Sequence, residues 1–132
     1  MFLRELNNDE KKAFYTLAGS IVNADENIAQ NEEVLMRQYL QEMNMADNET
    51  GSCTVAEAVD ILAKTNRETR RKVYIELFAL GTCDNELASV ERDLLNHYAG
   101  VLEIAEQDQN DLETCIMDLL QVYNRMSMLI SR

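Results

Sequence analysis

Four carboxylates recur in a fixed pattern. Asp25-Glu26-Asn27-Ile28 is followed after three residues by Glu32. Asp84-Asn85-Glu86-Leu87 is followed in the same way by Glu91, 59 residues further on. Carboxylate oxygens are hard ligands, and a divalent cation needs several of them converging. Asp25, Glu32, Asp84 and Glu91 are therefore the candidate metal ligands, with Glu26, Glu33 and Glu86 near enough to add more. A calcium loop of the EF-hand type fails. With Glu32 or Glu91 as its twelfth residue, the first would be Ile21 or Leu80, where a carboxylate is required. A capping role competes with the ligand role. Glu32 and Glu91 stand where a carboxylate can bond back to a helix cap, and Asp25 and Asp84 can close the turn through an Asx bond.

Catalytic chemistry is harder to find. His97 is the single histidine, beside Tyr98, with no Ser or Cys at helical spacing on its face. A surface histidine is expected, and no catalytic residue or enzyme activity is assigned. Cys53, Cys83 and Cys115 are odd in number and never form C-x-x-C, which argues against a disulfide framework or a zinc site. Cys83 and Cys115 read as small core residues.

The elements that position the acids are helices. The 132 residues fit one domain, 1–132, and include no proline and only four glycines. Helix formers dominate, so the fold class expected is all-α. Apolar stripes at three- and four-residue spacing predict six helices. They cover about Asn8–Asn23, Gln30–Met43, a third opening at Thr54, Arg67–Gly81, Ser89–Ile104, and Asp111 to near the terminus. Phe2, Leu3 and Leu6 form a short leader folded back on the core. Thr54–Glu57, Thr65–Glu68 and Asn110–Glu113 have the spacing of capping boxes. The last helix carries Leu112, Ile116, Leu119, Leu120, Tyr123, Met126 and Ile130 on one stripe. Core packing is expected for Tyr39, Tyr98 and Tyr123, and exposure with self-association for the Met126-Ser-Met128 tail.

The acidic turns belong to a longer repeat. At the 59-residue offset Tyr15, Asp25, Ala29, Glu32, Leu35 and Tyr39 match Tyr74, Asp84, Ala88, Glu91, Leu94 and Tyr98. Six identities in a 30-residue window exceed the roughly two that composition would give, so two pseudo-repeated helical hairpins are expected.

Phe14-Tyr-Thr-Leu-Ala, then Ala24-Asp25, Ile28 and Glu32, resembles the repeated motif of the tellurite-resistance TerB-like domains. Leu80, Cys83-Asp84, Leu87, Glu91 and Leu94-Leu95 resemble its second copy. The likeness covers most of residues 10–104. Glu26 and Asn85 stand where that family has glycine, and Ala29 and Ala88 where it often has a small hydroxyl residue. The resemblance implies a helical bundle of six to seven helices tied to stress response and tellurite resistance. It also implies relatives fused to other modules such as co-chaperones, and acidic residues proposed to bind a divalent cation.

Charge narrows the partners. Twenty-four acids against twelve bases give a net charge of −12. Phosphate backbones and anionic lipid surfaces repel such a chain, so no nucleic acid is expected; no run approaches 18 apolar residues, so no membrane insertion is expected, and the unpaired cysteines and the lack of a basic-then-apolar start lead to an expected cytoplasmic location. A protein partner is expected, with a homo-oligomer as a further candidate. Five bases fall between Lys64 and Lys72, whereas residues 84–118 hold ten acids and only Arg92 as a base. That pattern reads as solvated faces and ion pairs. The alternatives are an adaptor without metal, docking a basic partner around Glu103, Glu106 and Asp108, and an acidic mimic of DNA.

Overall fold

The computed structural model describes residues 1–24, 30–46, 51, 53–82 and 87–132, with 30–32 as backbone only. Among them are six α-helices, one 3-10 turn and no strand: the turn Leu3–Glu5, then α1 (Asn8–Val22), α2 (Gln30–Glu42), α3 (Val55–Ala63), α4 (Arg67–Gly81), α5 (Ser89–Val101) and α6 (Glu106–Ser131). The all-α expectation holds. No described helix is long and apolar enough to cross a membrane.

Helix α1 starts in a capping box that the sequence reading had not singled out. The Asn7 side chain accepts from the Glu10 N–H at 2.8 Å, and the Glu10 carboxylate accepts from the Asn7 N–H at 2.9 Å. Its apolar face, including Phe14, Leu17 and Ile21, is fully buried. Phe14 meets Tyr39 of α2 edge-to-face, with ring centroids 5.2 Å apart. Helices α1 and α4 are central: α1 packs on α2, α3 and α4, and α4 also receives α5, α6 and the N-terminal turn. Leu3 and Leu6 are buried, so the leader folds back as expected.

The caps depart from expectation in three places. At α3, Thr54 accepts from the Glu57 N–H, but the Glu57 carboxylate takes the Thr54 hydroxyl rather than a backbone donor. At α4 the cap is Asn66, not Thr65: its side chain accepts from the Thr69 N–H at 2.8 Å. The Thr65 hydroxyl turns back to the Leu62 carbonyl at 2.6 Å, and Arg70 donates to the Ala63 and Thr65 carbonyls, so both finish α3. Helix α6 begins five residues before Asp111, with Ala105 as its cap. Asn110–Glu113 is therefore helix interior, where the same three-residue spacing puts two side chains on one face.

Helices α2 and α5 end alike. Asn44 and Glu103 both have positive φ, 55° and 58°. Met45 N–H reaches back to the Leu40 carbonyl and Ile104 N–H to the Ala99 carbonyl, each at 2.9 Å. Asn44 donates to Gln41 and Glu103 to Gly100, each at 3.1 Å. These are two Schellman endings, and every pair of matched residues is 59 apart in sequence. The left-handed turn at Glu103 ends α5 at Val101, three residues before the expected Ile104.

Gly81, the last residue of α4, lies against Leu87, just before α5, and Leu95 within it. A Cβ there would lie 3.0 Å from Leu87 and 3.3 Å from Leu95 side-chain carbons. Glycine removes that crowding and lets the two helices meet.

Candidate functional site

Of the four candidate ligands, Asp25 and Asp84 lie outside the described residues, as does the side chain of Glu32. Glu91 is described. It sits in the first turn of α5, three residues after the cap Ala88, and is only 5 % exposed. A carboxylate oxygen of Glu91 lies 3.9 Å from where a Cβ on Gly81 would be. The side chain therefore tucks between the end of α4 and the start of α5. Among the described residues no three His, Cys, Asp or Glu side chains are grouped to hold a metal ion.

The described polar centre lies elsewhere, between α4, α5 and α6. Arg92 Nη1 donates to both Glu113 oxygens, at 2.9 and 3.0 Å. Tyr74 donates its phenol to Glu113 Oε2. The Gln109 amide donates to Tyr74 Oη at 3.0 Å and to Asn96 Oδ1 at 2.9 Å. The Arg92 guanidinium also covers the Phe78 ring, 5.6 Å from its centroid. Arg92 and Glu113 line an open cleft of about 460 Å³ with Phe78, Thr82 and Met117.

Electrostatics pins this centre. Burial pushes the Glu113 carboxyl up, but hydrogen bonds from Arg92, Tyr74 and Gln109 outweigh it and leave Glu113 below its ordinary value. Burial, then the Glu113 carboxylate, hold the Tyr74 phenol well above its own. Arg92, bound by Glu113, is raised too. Each pKa moves further from pH 7, so each group keeps its usual charge state there. A poised acid or base is shifted the other way, toward the operating pH. What this arrangement does chemically is clamp α6 onto α4 and α5.

A second carboxylate centre binds the N-terminus. The Met1 ammonium lies 2.8 Å from Glu42 and 2.8 Å from Glu76, and the Phe2 N–H donates to Glu76 at 2.7 Å. Glu76 is 3 % exposed on α4. Burial pulls the ammonium's pKa down, but the two carboxylates raise it further, to a net value above the ordinary one. Beside this group lies a trough of about 300 Å³ between α2, α4 and α6.

The basic run Lys64–Lys72 is spent on ion pairs within the chain. Arg71 meets Asp108 of α6 at 2.6 Å, Lys72 meets Glu5 at 3.1 Å, and Lys64 pairs with Asp60 at 3.0 Å. Asp108 is thus already paired within the chain. His97 is exposed. Cys115 is exposed rather than a core residue, because α6 faces the bundle through Leu112 and Ile116 instead. Cys83 lies outside the described residues.

Sequence reading missed the Arg92–Glu113–Tyr74 centre. Its one visible signal was Arg92 itself, the single base in a stretch of ten acids. Glu113 was hidden because its spacing from Asn110 also fits a cap.

No family model matches the chain, and neither a curated protein nor a solved structure matches it.

Proposed function

We propose that the chain is a non-enzymatic module of the TerB-like kind, built from two repeated helical hairpins, that takes a divalent cation at its acidic turns. The 59-residue correspondence carries this reading. It runs from the acidic turns through matched apolar positions to the paired endings at Asn44 and Glu103. Two tyrosines extend it. Tyr98 of α5 donates to Ser20 of α1, whose hydroxyl donates to the Leu17 carbonyl at 2.6 Å. Tyr39 of α2 donates to the Glu76 carbonyl of α4 at 3.3 Å. Leu17 and Glu76 are themselves 59 apart, so each hairpin's tyrosine reaches the first helix of the other. Exchange of this kind is what an internal two-fold relation would give.

The resemblance supplies the stress-response setting, and the acids supply the ligand class. Isothermal titration with calcium, magnesium, manganese and zinc tests the cation. The wild type should bind at least one of them, and Asp25→Asn/Asp84→Asn should weaken binding at least tenfold. No heat with any of the four ions removes the cation from the reading.

A second reading is a docking module without metal. The exposed apolar stripe on α6 favours it: Tyr123 is 57 % exposed, Leu129 53 % and Ile130 84 %. Capture of partner proteins by the wild type but not by Ile130→Asp would support docking through α6.

A further inference from the structure

Helices α2, α4 and α6 do not close fully on one another. The trough between them holds about 300 Å³, room for about ten waters. On α2, Leu35, Tyr39 and Glu42 follow at four and three residues, so one face of that helix lines the trough. Ala79 of α4 and Leu119 and Tyr123 of α6 form the facing walls. Tyr123 was expected in the core. It is 57 % exposed instead and lines the trough.

Two carboxylates, Glu42 and Glu76, also line this trough, and no described Lys or Arg does. The pair shares one cation, the Met1 ammonium, 2.8 Å from each. Both of those contacts and the Phe2 N–H bond fall on Oε1. Oε2 of each carboxylate takes no hydrogen bond or ion pair among the described residues. The Glu76 side chain is only 4 % exposed, so water screens it poorly. With Met1 counted, the pair keeps one negative charge beside an apolar wall. The chain around it, at net charge −12, draws cations in.

We propose that this trough binds a small primary amine, with its ammonium at Glu42 and Glu76 and its hydrocarbon body between α2 and α6.

The chemistry of the walls selects that occupant. A calcium ion asks for six or more oxygen ligands, and two carboxylates in an apolar trough fall short. An anion is repelled by the excess charge, and a neutral apolar ligand leaves it uncompensated. A primary ammonium brings one charge and three donors. Met1 shows that the pair takes this group at hydrogen-bond distance. From Glu42 back to Leu35 the wall of α2 extends about 10 Å at 1.5 Å per residue. A ligand's hydrocarbon therefore leaves water as its ammonium reaches the acids.

This site is separate from the acidic turns and from the exposed end of α6. The probe is n-hexylammonium, titrated into the full chain near neutral pH by calorimetry and by amide NMR. It should bind at least tenfold more tightly than hexan-1-ol, hexanoate or ethylammonium. The alcohol lacks the charge, the carboxylate reverses it, and ethylammonium lacks four methylenes. Amide shifts should centre on Ala79 and Leu119. Glu42→Gln should weaken binding at least fivefold. Ala79→Met, which fills the trough from a partly exposed position, should weaken it at least tenfold, both with unchanged helical circular dichroism. Should Ala79→Met fail to fold, Glu42→Gln and the amide shifts decide. Asp25→Asn/Asp84→Asn and Ile130→Asp should leave hexylammonium binding unchanged, so failure of the cation or docking reading is seen apart from failure here. The proposal is overturned by hexan-1-ol binding equally well, by shifts spread over the acidic surface, by an affinity indifferent to Glu42→Gln, or by no binding below about 10 mM.

Discussion

Asn44 and Glu103 stand 59 residues apart and hold the same left-handed backbone, φ 55° and 58°. Each lets its helix stop and sends the next apolar residue, Met45 or Ile104, back toward the helix it has just left. Asparagine enters that conformation readily, whereas glutamate does so only against steric crowding of its Cβ. Glycine would carry no such strain at either position.

Replacing Glu103 should therefore stabilise the fold. Glu103→Gly relieves left-handed strain, partly offset by the freer unfolded chain, for a net gain of about 0.5–1 kcal/mol. Glu103→Asn should gain less, and Asn44→Ala should lose a similar amount. Urea unfolding measures each, and the glycine variant should melt a few degrees higher. A Glu103→Gly chain no more stable than wild type would mean that Glu103 makes a favourable contact outweighing its backbone.

Much of the helical frame was legible because stripe, breaker and turn agreed. Helix α4 matches its expected bounds, Arg67 to Gly81. What failed were places where one spacing serves two structures. Thr65 and Asn66 both can cap, and only the Arg70 contacts of the α3 end give the role to Asn66. Asn110–Glu113 reads as a cap until Arg92, 21 residues earlier, claims the carboxylate. Periodicity drew the apolar stripe on α6 but could not say where the bundle stops covering it. Of the acid site, only Glu91 falls where a side chain is described, so the turn chemistry rests on the sequence pattern.

The Arg92–Glu113 pair should make stability depend on acid. Glu113 titrates below its ordinary value when folded and normally when unfolded. Its contribution is then fully present above the unfolded carboxyl's range and lost as pH falls through the folded pKa. Glu113→Gln should cost about 1–2 kcal/mol near pH 7, a modest figure because Arg92 is partly solvated. The gap to wild type should narrow steadily below about pH 4.5. Urea titrations of both chains at several pH values read this directly. A gap independent of pH would mean that packing, not charge, holds Glu113.

At the basic end the sign reverses. The Met1 ammonium is raised above its ordinary pKa by Glu42 and the buried Glu76. Its contribution is complete below the unfolded amine's value of roughly 8 and lost as pH rises through the folded value. Tyr74 and Tyr98, both raised by burial, act in the same direction but only above roughly pH 10, where an unfolded phenol ionises. The amine is therefore isolated by working between about pH 7 and pH 9.5. Wild-type stability should fall across that window. In Glu76→Gln the fall should be shallower, because one of two carboxylates holding the ammonium is gone. The variant should also be about 1–3 kcal/mol weaker near neutrality, since Phe2 and Met1 then face a neutral amide in a dry site. An equally steep fall in Glu76→Gln would assign the amine's shift to Glu42 alone. Glu42→Gln, the more exposed partner, then completes the comparison.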